Sequence, residues 1–189
     1  MNLGKTLYVT NRDDWRAWLS RNHQKEREIW LVYYKKSSGK PRIHYNDAVE
    51  EAICYGWIDS TVKKVDDESF AQRFTPRRHG SKISEMNKER VRILIAGNKM
   101  TKKGLDAISA VFNPEKDKVT KWRIAQDIIK AVRADRQAWA NFRKFPESYR
   151  RVRIGYIESQ RSHSNEMFNK SLQNFIKKTA KNKKFGMIK

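Results

Sequence analysis

The chain has 189 residues and a formal net charge of +21, from 42 Lys+Arg against 21 Asp+Glu. Its 38% hydrophobic and 11% aromatic content, with six Trp, excludes a fully disordered chain even though 33% of residues are charged. The length suits one domain or two small ones. No apolar run approaches the roughly 18 residues of a membrane span, and the first residues lack the apolar core of a signal peptide. A lone cysteine, Cys54, rules out an intramolecular disulfide, and a cytoplasmic location is expected.

Leu7-Tyr8-Val9 reads as a short strand, and Thr10 or Asn11 as the cap of a helix carrying Trp15, Trp18 and Leu19 on one face. Glu28 to Lys36 is rich in aromatic and β-branched residues and reads as a buried strand, broken by Ser37-Ser38-Gly39-Lys40-Pro41. A second helix is expected from Tyr45-Asn46, capped by Asn46 and stopped at Gly56. Strands over Ile58–Val65 and Phe70–Thr75 would form a hairpin through the acidic turn Asp66-Asp67-Glu68-Ser69.

From Ser84 onward the spacing is helical. The apolar stripes are Met86, Val91, Leu94 and Ile95; then Leu105, Ile108 and Phe112; then Ile124 to Val132. Trp139 and Phe142, then Val152, Tyr156 and Ile157, and finally Met167, Leu172, Phe175 and Ile176 continue the series. Asn113-Pro114-Glu115-Lys116-Asp117 reads as a linker, Pro146 as a first-turn proline, and Lys177 to Lys189 as a basic tail. The expected fold class is α+β: a small N-terminal sheet with flanking helices, then a helical C-terminal half. The expected division is an α+β domain over residues 1–112 and a helical region over 118–189.

Charge is unevenly spread. Residues 1–72 hold 12 Lys+Arg against 11 Asp+Glu, residues 73–103 hold 10 against 2, and residues 104–189 hold 20 against 8. A field of this sign favours nucleic acid, another polyanion or a small anionic ligand as partner. The densest cluster is Arg73, Thr75, Arg77, Arg78, Ser81, Lys82 and Ser84, which with Trp57 and Asp59 forms a candidate anion pocket. Arginine forks grip phosphate or carboxylate, and Ser84 would cap a helix whose first N–H groups also favour an anion. Asp59 would pair with Arg73 across the hairpin, or act as a base. Trp57 would line the pocket. Cys54 reads as a small buried hydrophobe. Four scattered histidines give no metal-ligand spacing, and neither Gly-x-Gly-x-x-Gly nor a Walker loop is present, so no cofactor is expected.

Cys-Tyr-Gly-Trp-Ile-Asp-Ser (54–60), Gln-Arg-Phe-Thr-Pro-Arg-Arg (72–78) and Ser-Lys-Ile-Ser-Glu-Met-Asn-Lys-Glu-Arg (81–90) resemble the YdeI/OmpD-associated, or bacteriocin-protection-like, family. The resemblance extends upstream to Trp30–Lys36 and Tyr45–Val49, and downstream to Gly104-Leu105 and the region of Phe142 to Tyr156. It implies a small cytoplasmic bacterial protein with an α+β front and a helical back, linked to envelope stress or protection against bacteriocins and antimicrobial peptides. It implies no reaction. Three readings stand at this point: a non-enzymatic binding protein for an anionic ligand or nucleic acid; an enzyme on a small anionic substrate with Asp59 as base; and a stress-response adaptor that binds a protein partner.

Overall fold

The computed structural model describes residues 3–113 and 122–186. Most of the expected linker, from Pro114 on, and the last three residues of the expected tail lie outside them. The fold is α+β, with a four-stranded sheet in the N-terminal half and helices dominating the C-terminal half. The chain divides into two compact units: residues 1–83 with 90–116, and residues 84–89 with 117–189.

The first unit builds its sheet from β1 (Thr6–Leu7), β2 (Ile29–Tyr34), β3 (Trp57–Lys64) and β4 (Ser69–Pro76). The order is β1-β2-β4-β3; β1 runs parallel to β2, and the other pairs are antiparallel. The β3–β4 hairpin closes as expected through the acidic turn, because Asp66 Oδ1 accepts from the Glu68 N–H and the Ser69 hydroxyl, both at 2.8 Å. Helix α1 (Arg12–Asn22) is capped by Asn11, whose side chain accepts from the Asp14 N–H. Helix α2 (Tyr45–Cys54) differs from expectation. His44 holds its cap position without a side-chain bond, and Asn46 lies inside the first turn, where its oxygen accepts from Arg90 at 2.8 Å. Gly56 ends the turn after α2 at φ 75, a conformation that favours glycine.

One face of the sheet packs on α1 and α2 around Trp15, Leu19, Ile29, Leu31, Ala52 and Phe74, all fully buried. Glu51, 1% exposed, sits at the edge of this core and accepts from Arg12 and Arg16 of α1, the latter at 2.5 Å. Arg12 also reaches Asp47 and Glu50, at 3.2 and 2.9 Å. This cluster ties α1 to α2. Helix α3 (Glu85–Ala96) starts at Ser84, whose hydroxyl accepts from the Asn87 N–H, and the division between units falls after its first turn. Helix α4 (Lys102–Ile108) is capped by Thr101 and pressed against the end of α2.

The second unit contains α5 (Gln126–Ala134), α6 (Arg136–Lys144), α7 (Glu147–Gln160) and α8 (Asn165–Ala180). Asp135 alone joins α5 to α6 and caps the latter. Pro146 occupies the cap of α7, one residue ahead of its expected place in the first turn. The core gathers Ile128, Phe142, Tyr149, Ile157 and Phe175. Lys177 and Lys178 lie in the last turn of α8 rather than in a tail. Beyond it, the Phe185 N–H donates to the Tyr149 hydroxyl at 3.0 Å, so the described part of the expected tail folds back onto its unit.

Candidate functional site

The hairpin does not bring Asp59 and Arg73 together. Asp59 stands opposite Phe74 in the ladder, so Arg73, one residue earlier on β4, projects from the other face. Arg73 instead grips Glu28, with Nε donating at 2.7 Å to Oε2. That bond, helped by the Trp30 indole and opposed by desolvation, holds the Glu28 carboxyl below its usual value. Asp59 accepts from the Tyr45 hydroxyl at 2.5 Å. Burial first, and then this bond, push the Tyr45 phenol upward, so Tyr45 keeps its proton and Asp59 is the acceptor.

The other expected anchors have separate tasks. Trp57 is buried, and its indole N–H donates to the His23 carbonyl at 3.1 Å, which makes it a core residue and not a stacking platform. Arg77 turns back on its own loop and donates to the Ser81 and Lys82 carbonyls, each at 2.6 Å. Burial lowers its pKa, and it organises residues 77–84. Arg78, Lys82 and Ser84 are exposed, Ser81 donates to the Arg78 carbonyl at 2.8 Å, and Thr75 is half-buried on β4. Asp59 therefore shares a concavity with none of the expected cations. The physical reason is alternation along β4 together with loop carbonyls that engage one Arg77 nitrogen locally.

The concavity that does contain Asp59 is a cleft of about 460 Å³ on the helix-bearing face of the sheet. Its floor is Tyr33, Phe70 and Gln72; the strand wall is Asp59, Ser60 and Val62; the opposite wall is the segment from Arg42 to Tyr45 that leads into α2. Tyr33 and Phe70 are ladder partners with rings stacked 5.4 Å apart at 6°. The register shift between Asp59 and Val62 lets both face the cleft although they are an odd number of residues apart. Arg90, 8% exposed, lies behind this wall on Asn46, and burial lowers its pKa, opposed in part by Tyr45, Glu50 and, least, Asp59. The sequence pattern missed Tyr33, Arg42, Tyr45 and Arg90 as members of this region. The available signal was that Tyr45 and Arg90 fall inside motifs that already stood out.

Cys54 is fully buried, and its thiol is pushed up to about 11, by burial and then by the charge of Glu51. A nucleophilic role would need a thiolate, which this setting disfavours. Among the described residues no group of three or more His, Cys, Asp or Glu side chains is placed to hold a metal ion, and no helix is long and apolar enough to cross a membrane.

The second unit presents a different chemistry. Its described residues 122–186 carry 16 Lys+Arg against 5 Asp+Glu. Ion pairs among the described residues engage only two of those cations, Arg151 and Arg161. The guanidinium groups of Arg133 and Arg143 lie 4.7 and 5.7 Å from the half-buried ring of Trp139. In the first unit Lys5, Arg12, Arg16, Lys40, Lys64 and Arg73 pair with carboxylates.

Residues 7–107 match a family described as a domain of unknown function (DUF8412). The chain belongs to that family. The match takes in all of the sheet but Thr6, α1 to α3, most of α4 and the Asp59 cleft, and stops before the second unit's helices α5 to α8. No curated protein and no solved structure matches the chain.

Proposed function

We propose that the protein is a non-enzymatic binder of nucleic acid or a related polyanion, acting through its second unit. The observation that supports this reading most is the set of 14 cations there, among residues 122–186, outside any ion pair with the described carboxylates. Cations left unneutralised by neighbours are free to replace counterions along a phosphate backbone. Trp139 flanked by Arg133 and Arg143 adds an aromatic face of the kind on which bases stack. A cytoplasmic location and kinship with the YdeI/OmpD-associated proteins belong to the same proposal, the latter resting on the three motifs between Cys54 and Arg90.

Labelled single-stranded RNA and duplex DNA, titrated at two salt concentrations, test it. Neutralising about six phosphates gives a slope of log affinity on log salt of roughly −4 for single strands and −5 for duplex. An Arg133→Ala/Arg143→Ala double variant is expected to reduce that slope by about 1.5. Absence of binding at low salt, or a slope near zero, overturns the reading. The competing enzyme reading draws on the Asp59–Tyr45 pair facing a cleft. Turnover of a small anionic substrate that is lost in Asp59→Asn would favour it.

A further inference from the structure

Tyr33 is 2% exposed, it lines the Asp59 cleft, and its hydroxyl is buried without a hydrogen-bond partner among the described residues. Buried hydroxyls are nearly always bonded, so an uncommitted one at the floor of a cavity marks a place where something else supplies the partner. The rest of the lining is also only partly used. The Gln72 side chain donates to the Ser60 carbonyl at 3.0 Å, and its amide oxygen makes no hydrogen bond among the described residues. Tyr45 takes Asp59 Oδ2, and no described group takes Oδ1. Arg42 spends one nitrogen on the Tyr34 carbonyl at 3.0 Å, while its others are uncommitted among the described residues.

We infer that this cleft binds a mononucleotide-sized ligand: a flat heteroaromatic ring with N–H donors and carbonyl or ring-nitrogen acceptors, carrying an anionic group. Half-buried Phe70, stacked on Tyr33 beneath, and exposed Val62 offer apolar surface to a planar ring. Asp59 and Gln72 accept from ring or exocyclic N–H groups, and the Tyr33 hydroxyl donates to an acceptor between them. Such mixed donor and acceptor edges belong to nucleobases. Arg42 and exposed His44, on the opposite wall, are the groups that meet a phosphate. The volume of about 460 Å³ lies within the range of small-ligand sites. This site lies wholly in the first unit and does not depend on the polyanion surface of the second.

Calorimetric titration of the full chain with AMP, GMP, CMP and UMP, with the corresponding nucleosides and with inorganic phosphate, tests the inference. One or more monophosphates is expected to bind at one site per chain, with its nucleoside at least tenfold weaker. Tyr33→Phe removes the orphan hydroxyl and is expected to weaken that binding about tenfold. Val62→Trp, at an exposed wall position, obstructs the cleft without disturbing its floor and serves if the Tyr33 variant misfolds. Binding unchanged in Arg133→Ala/Arg143→Ala separates this site from the second unit's surface. The inference fails if no monophosphate binds at millimolar concentration, if inorganic phosphate binds equally well, or if Val62→Trp binds like the parent.

Discussion

The Tyr45 hydroxyl donates to Asp59 at 2.5 Å, joining the first residue of α2 to the third residue of β3. A hydrogen bond to a charged acceptor contributes about 1.5–3 kcal/mol, and partial exposure of the pair places it near the lower end. Tyr45→Phe and Asp59→Ala are each expected to lower stability by about 1.5 kcal/mol. Because both remove the same bond, the double variant should cost little more than either single one. Urea denaturation of the four proteins checks this; fully additive losses would show that the two residues are energetically independent.

Glu51 carries the largest expected effect. It is nearly inaccessible and accepts from two guanidinium groups of α1. Removing one partner of a buried ionic cluster leaves the others uncompensated, so Glu51→Ala is expected to cost about 3 kcal/mol. Arg12 retains Asp47 and Glu50, which limits the loss. A change within about 0.5 kcal/mol of the parent in denaturant midpoint stability would refute the locking role.

The Glu28–Arg73 pair predicts a pH dependence. The folded-state pKa of Glu28 lies below its ordinary 4.5, chiefly through the Arg73 hydrogen bond. The unfolded chain therefore binds the proton more readily, and the stabilisation is complete above about pH 4.5 and lost as pH falls through the folded value. Both side chains are about a third exposed, so solvent screening holds the contribution to about 0.5 kcal/mol. The stability difference between parent and Glu28→Gln should shrink between pH 6 and pH 3. A difference that grows on acidification has the wrong sign.

Cys54 should resist thiol reagents in the native protein. Its side chain is inaccessible and its thiol lies at about 11, far above neutrality. The rate of modification by a disulfide reagent at pH 7.5 is expected to follow the unfolding rate and to become immediate in denaturant. Instant stoichiometric labelling without denaturant would contradict the packing described for α2.

Gly104 is fixed by close approach. A Cβ there would meet the Cys54 carbonyl oxygen at 2.3 Å, where Thr101 also donates to that oxygen at 2.6 Å. Backbone cannot yield as a flexible side chain can, so Gly104→Ala is expected to cost about 2–3 kcal/mol. Thermal melting reads the effect, and an unchanged midpoint would mean that α4 can shift away from α2.

The α+β class was legible because period-two runs such as Ile29–Tyr34 and period-3.6 stripes after Ser84 are strong local signals. The anion pocket was not legible, for two reasons with physical content. Face assignment on β4 depends on registration with β3, where the shift after Asp59 interrupts simple alternation. Charge clustering in sequence also says nothing of which carbonyls a guanidinium will find, and Arg77 finds those of its own loop. Tyr33 looked like any other buried strand aromatic in the sequence. Only the structure shows that its hydroxyl, beneath the start of α2, has no hydrogen-bond partner among the described residues.

Strand β3 is the last in the sheet order, which leaves its outer backbone edge without a strand partner among the described residues. That edge is a poor template for a second molecule. The register shift after Asp59 breaks its straight run, and Lys63 and Lys64 follow on the same strand. Two copies zipping together antiparallel along β3 would mismatch their ladders at that break and set Lys63 and Lys64 of one copy against the apolar Trp57-Ile58 end of the other. The break that gives the cleft its Asp59 wall is thus of the kind that blunts a sheet edge against pairing with another chain.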